Sequence, residues 1–174
     1  MFPTRIALVL VGLFAFSSSA PAQEKKPLVT RGRVQLNLGG AETVLEAAKK
    51  KAAALGLKCN VAVVDDGGHL LAFARMDGAR PASAATALTK AVSAATFRQE
   101  TGTLPAKGEP DVLLSLSIQT ASGGKITTLK GGVPIVVDGQ VVGAVGVGGG
   151  TGEQDAEVAK GGIQALLDGL ADKK

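Results

Sequence analysis

Tryptophan and tyrosine are missing from this 174-residue chain, and aromatics make up only 3% of it. Three of the five phenylalanines (Phe2, Phe14, Phe16) fall in the first sixteen residues, which leaves Phe73 and Phe97 for the rest. Proteins that hold single-stranded nucleic acid stack bases on aromatic rings, so this poverty argues against nucleic acid as a partner despite a pI near 9.3. There is one cysteine, Cys59, and one histidine, His69. That excludes an intramolecular disulfide, and any zinc site that one chain would build from several cysteines or histidines. The absence of a CxxCH motif excludes c-type haem attachment. Long apolar runs are also lacking: Ile6 to Phe16 is shorter than the ~20 residues that a membrane-spanning helix needs.

What is present fits one globular domain, with 45% hydrophobic and 20% charged residues. Met1 to Ala22 reads as a secretory signal peptide: Arg5 supplies a positive start, Ile6 to Phe16 an apolar core, and Ala20-Pro21-Ala22 a small-x-small cleavage site. Cleavage after Ala22 predicts a mature chain of 152 residues (174 minus 22) in a periplasm or outside the cell, with no stable membrane insertion. Residues 23–35 are expected to be a flexible leader and 36–174 the folded domain.

Arg33 to Leu38 alternates as a short strand or extended entry. Val44, Leu45, Ala48, Ala52 and Leu55 recur at helical spacing, with Lys49 to Lys51 on the solvated face and Gly56 as a stop. Val61 to Asp65 and His69 to Met76 flank Asp66-Gly67-Gly68 and predict a hairpin. Ser83 to Phe97 is alanine-rich and predicts a helix with a flat face. Thr101 to Lys130 shows no clear periodicity. A second hairpin, Val133 to Val137 and Gln140 to Val147, turns at Asp138-Gly139, and Pro134 points to an edge strand. Thr151 with Gln154 forms a capping box for a last helix reaching about Leu170, which Gly161-Gly162 weaken unless close packing needs them. The order predicts an antiparallel sheet flanked by helices, an α+β fold.

The blocks VAVVDDGGHLLAFARMDGARPAS (Val61 to Ser83), Lys90-Ala91 and GGVPIVVDGQVVGAVGVGGGTGEQD (Gly131 to Asp155) resemble the GlcG/HbpS family, whose relatives include the C-terminal domain of PduO-type corrinoid adenosyltransferases. The resemblance runs from about Leu36 to Leu170. It implies a profilin-like fold, homo-oligomers, and haem as the ligand.

His69 follows the first hairpin turn and carries the chain's only imidazole, a strong iron ligand; the bland alternative is a hydrogen-bonded surface histidine. Met76, the other thinkable axial ligand, is seven positions on, so a regular strand would place it on the opposite face about 23 Å away, and core packing is the preferred reading. The resemblance implies Thr101 as a hydroxyl near the iron, against a helix-end role. Arg75 or Arg80 would pair with haem propionates or a small carboxylate, unless an Arg–Asp77 pair merely fixes the turn. Lys90 among alanines is either a pocket cation or a snorkelling side chain. Gly148 to Thr151 opens a helix and would cradle an anion or simply make a tight capped turn; it is neither a dinucleotide fingerprint nor a Walker loop. Cys59 is read as a small buried residue, and Asp65 and Asp66 as turn residues. The leading function is a secreted or periplasmic haem-binding protein engaged in haem sensing, storage or degradation. The rivals are an enzyme or sensor for a small carboxylate without haem, and a structural oligomer joined through the alanine face of Ser83 to Ala95.

Overall fold

A computed structural model describes residues 31–105 and 107–172. The signal segment and most of the leader lie outside the described residues.

Asn37 accepts the Gly40 N–H at 2.8 Å and so starts helix α1, Leu38–Ala54. Strands β1 (Asn60–Asp65) and β2 (Leu70–Arg75) follow, then helix α2 (Ser83–Phe97), helix α3 (Val112–Ala121), strands β3 (Gly132–Val137) and β4 (Gln140–Gly148), and helix α4 (Gly152–Ala171). The four strands form one antiparallel sheet in the order β2-β1-β4-β3. The Pro134 expectation of an edge strand fits β3.

Helices α1 and α4 cover one face of the sheet and α2 the other. Strand alternation divides β1 between them: Val61 and Val63 join the α1/α4 core, while Ala62 and Val64 join the α2 core. The larger core holds Val44, Val145, Val147, Ile135 and Val158, all fully buried. The α2 core is built of alanines around Val64, and glycine in β4 lets the helix come close. A Cβ on Gly146 would overlap the Ala87 carbonyl oxygen and the Ala91 nitrogen of α2. Gly162 does the same service between α4 and α1, where a Cβ would stand 2.7 Å from the Val44 carbonyl oxygen. The helix-weakening glycine at this position is therefore required by packing.

Three expectations need correction. Residues 33–37 do not form a strand. They join no strand ladder; the Val34 N–H donates to Gln140 Oε1 at 3.3 Å, and Leu38 already belongs to α1. The alanine face of α2 is not left for another subunit: Ala87, Ala91, Ala94 and Ala95 are buried against the chain's own β1 and β4. The unread stretch holds a helix, α3, started by Asp111, whose carboxylate accepts the Leu114 N–H at 2.8 Å.

Candidate functional site

The β1–β2 turn presents His69. Gly68 adopts φ +85°, which glycine reaches without strain, and the Asp65 carboxylate organises the reversal. Asp65 Oδ1 accepts the N–H groups of Gly67 (2.9 Å) and His69 (2.8 Å), and His69 Nδ1 stands 3.1 Å from Asp65 Oδ2. Partial burial works against the Asp65 charge, but the hydrogen bonds from His69 and Gly67 outweigh it and hold this carboxyl below its ordinary value of 3.8. The lowered value means that the folded turn favours the carboxylate. This support is complete above pH 3.8 and is lost as pH falls through the lowered value. The imidazole itself is 83% exposed. With Nδ1 directed to a carboxylate, Nε2 is left free in solvent, the orientation that metal-binding histidines use. Arg33 pairs with Asp66 in the same turn, so the guanidinium nearest this turn in the ion-pair network is one that the sequence pattern did not single out.

Arg75 and Arg80 lie elsewhere. His69 and Arg75 flank β2 at its two ends, about 20 Å apart along an extended strand and farther than a porphyrin spans. Register places Leu70, Phe73 and Arg75 opposite Val64, Ala62 and Asn60, hence on the α2 side of the sheet. Helix α2 does not extend over β2, and Leu70 and Phe73 are exposed. Arg80 joins Arg75 near Asn60: the buried Asn60 amide donates to the Arg80 carbonyl oxygen at 3.0 Å, and its Oδ1 has no hydrogen-bond partner. No ion pair engages either guanidinium among the described residues, so an Arg–Asp77 pair does not form. Met76 packs on the α1/α4 core, at the far end of β2 from His69.

Lys90 is neither a pocket cation nor a snorkelling side chain. Its ammonium is buried between the Asp155 carboxylate (2.8 Å) and the Val147 carbonyl oxygen (2.8 Å), and both side chains are under 10% exposed. Asp155 Oδ1 also accepts the Gly150 N–H at 2.9 Å. Gly131 makes room for the pair, because a Cβ there would stand 2.6 Å from Asp155 Cβ and 3.0 Å from Lys90 Nζ. Burial, reinforced by Asp155 and opposed by Lys90, pushes the nearby Cys59 thiol up to about 11, so it stays protonated and unreactive. Thr101 is buried too. Its N–H donates to the Gly132 carbonyl oxygen (3.0 Å) and its hydroxyl oxygen accepts the Gly132 N–H (2.8 Å), which clamps the loop after α2 to β3. Lys90 and Thr101 thus meet at Gly132, whereas no hydrogen bond or ion pair links either to His69, Arg75 or Arg80 among the described residues.

The Gly148 to Thr151 entry to α4 is satisfied from within. Thr151 and Gln154 complete the capping box, Asp155 takes the Gly150 N–H, and Glu153 and Asp155 put negative charge in the first turn. The helix dipole there is already met by acids, which makes the position unattractive to an anion. Asp155 and Asn60 carried no signal in the sequence beyond their types. The Asp65–His69 pair did carry one, an i, i+4 spacing across a two-glycine turn.

The family model described as haem degrading protein HbpS-like matches residues 36–164. Protein GlcG of Escherichia coli strain K12 is 41% identical over 115 residues, which cover 66% of this chain and 82% of GlcG. Klebsiella pneumoniae protein ORFY has the same fold at TM-score 0.69 and 33% identity, over 81% of this chain and 98% of ORFY. The structure of a PduOC haem complex matches at TM-score 0.66 and 27% identity, over 76% of this chain and 95% of that one. The antiparallel sheet, its flanking helices and these matches agree, and the chain belongs to the HbpS-like family.

Proposed function

We propose that the protein binds haem outside the cytoplasm, as a homo-oligomer, with His69 as the iron ligand. The observation that carries the reading is the exposed imidazole held by Asp65, with Nε2 free. Membership in a family described as haem degrading, and likeness to a domain solved with haem, support it. The signal-like segment Met1 to Ala22 supports the compartment. Bound haem would supply redox and oxygen chemistry; the chain supplies the ligand and the carboxylate that orients it. Haem sensing, storage and degradation all remain within this reading.

Because Arg75 and Arg80 stand at the other end of β2, a haem on His69 would take its carboxylate contacts from Arg33 or from another copy's arginines. Titration of haemin into the apoprotein should give a saturating, shifted Soret band. His69→Ala should abolish that shift, and Asp65→Asn should weaken binding by about 10- to 100-fold, the usual effect of removing a carboxylate behind a metal-bound histidine. An unchanged spectrum in His69→Ala would remove His69 as the ligand.

A second reading has its own support. The backbones of Arg75 and Arg80 meet at Asn60, through strand register and through the Arg80 carbonyl oxygen, and among the described residues neither side chain has an ion-pair partner, so two arginines are rooted close enough to serve one small carboxylate. Calorimetry with short hydroxy acids and dicarboxylates should show uptake that Arg80→Ala or Arg75→Ala removes, and silence across that panel would end this second reading.

A further inference from the structure

Among the described residues, helix α3 is the one helix without a substantial packing partner. It makes no extensive packing against another helix or strand, only a groove shared with the loop segment Ile126 to Leu129, and none of its ten residues is buried. Val112 is 67% exposed and Leu113 74%, with Leu114, Leu116 and the adjacent Leu129 also exposed. A ten-residue helix is marginal in water by itself, so its stability must come from packing an apolar face. The face exists; Val112, Leu113 and Leu116 fall on one side, and Ser117 beside them is small enough to admit a close neighbour.

Charge selects the occupant. The helix itself, VLLSLSIQTA, carries no charge, while exposed Lys107, Glu109 and Asp111 precede it, a flank of net negative charge, and exposed Lys125 follows it. When two copies of the helix lie antiparallel about a two-fold axis, the acidic end of each faces the basic end of the other, and the two helix dipoles oppose. A parallel arrangement would set acid against acid. From this complementarity we infer that α3 is a self-association seam, at which two copies of the chain pair antiparallel through Val112, Leu113 and Leu116. The inference rests on the homo-oligomer part of the function proposed above and is independent of haem.

Antiparallel pairing about the helix centre brings residue 117 of one copy near residue 117 of the other, while residues 109 of the two copies stand at opposite ends, on the order of 20 Å apart. In the full mature chain, Ser117→Cys should therefore form an intermolecular disulfide under mild oxidation at low micromolar protein. Glu109→Cys should not, and a mixture of Glu109→Cys with Lys125→Cys should cross-link. The native Cys59 is buried and does not compete. Leu113→Glu with Leu116→Glu should lower the mass seen by light scattering to a smaller species while the far-ultraviolet circular dichroism of the other helices persists. Glu109→Lys should weaken assembly at low salt and Lys125→Glu in the same chain should restore it. A wild-type protein that is monomeric at tens of micromolar would overturn both this inference and the oligomer reading. An oligomer unaffected by the leucine changes, or a Ser117→Cys protein that stays uncross-linked, would overturn the seam alone. So would a smaller species that appears only when haem is withheld, since haem and not a second copy would then be what covers α3.

Discussion

Asp155→Ala is expected to lower the stability of the fold by about 3–5 kcal/mol, the usual result of leaving one member of a buried ion pair without its partner. The Lys90 ammonium would keep only the Val147 carbonyl oxygen inside a region closed to water, and the Gly150 N–H would lose its acceptor at the start of α4. Lys90→Met alone strands the carboxylate in the same way, although the Gly150 N–H still supports it. Changing both residues, Lys90→Met with Asp155→Leu, should cost far less than the sum of the single changes, because an apolar pair of similar volume carries no desolvation penalty. Urea denaturation of the two single variants and the double variant measures this coupling directly. If the single changes prove mild and additive, the pair does not hold α2, β4 and α4 together as its geometry indicates. The ion pair sits where three elements meet, and the thiol of Cys59 reports on it: with the carboxylate gone, one of the two influences that raise the thiol disappears, and its ionisation should move down from about 11 toward its ordinary 9.0.

Most of the fold could be read from the sequence, and the reason lies in local chemistry. Asp66-Gly67-Gly68 and Asp138-Gly139 mark both hairpins because their backbones need positive φ, and the T-x-x-Q box marks α4 because it meets the helix's own unpaired N–H groups. Helix α3 escaped the pattern because its apolar residues are not matched to any face of the chain's own core. Without a buried stripe there is no 3.6-residue contrast to detect, and the Asp111 cap was the one local sign. At residues 33–37, alternation over five residues cannot distinguish a strand from a segment that packs Val34 and Leu36 onto a core.

The candidate site was legible in part for a related reason. His69 stands out by being the only histidine, and the turn before it is local, so its exposure followed from the sequence. Lys90 reads as a functional cation because an isolated lysine among alanines signals only that something must compensate its charge. The compensating Asp155 lies 65 residues on and becomes its neighbour only when β4 crosses the sheet. Nearness in sequence groups Arg75 and Arg80 with His69, yet six residues of extended strand carry Arg75 out of reach.

Gly146→Ala should destabilise the protein by about 1–3 kcal/mol or more, although it adds a single methyl group. Most alanine-for-glycine changes in regular structure go the other way, since they remove freedom from the unfolded chain. The difference here is what the methyl would meet: the backbone carbonyl oxygen of Ala87 and the backbone nitrogen of Ala91, which belong to a helix turn and cannot rotate aside as a side chain does. Accepting it requires α2 to lift off β4, and this would loosen the contacts of Ala62, Val64, Ala94 and Ala144 in the same alanine core. Gly169→Ala is the matched control. It lies in α4, a Cβ there meets nothing within 4 Å, and the change should stabilise by up to about 1 kcal/mol through helix propensity. Urea midpoints that shift in opposite directions for the two variants would establish that close helix-on-sheet approach, rather than glycine content, governs the α2 side. A Gly146→Ala midpoint at or above that of the wild type would mean that α2 can move outward at little cost, and that the small core it covers contributes less to the fold than its burial implies.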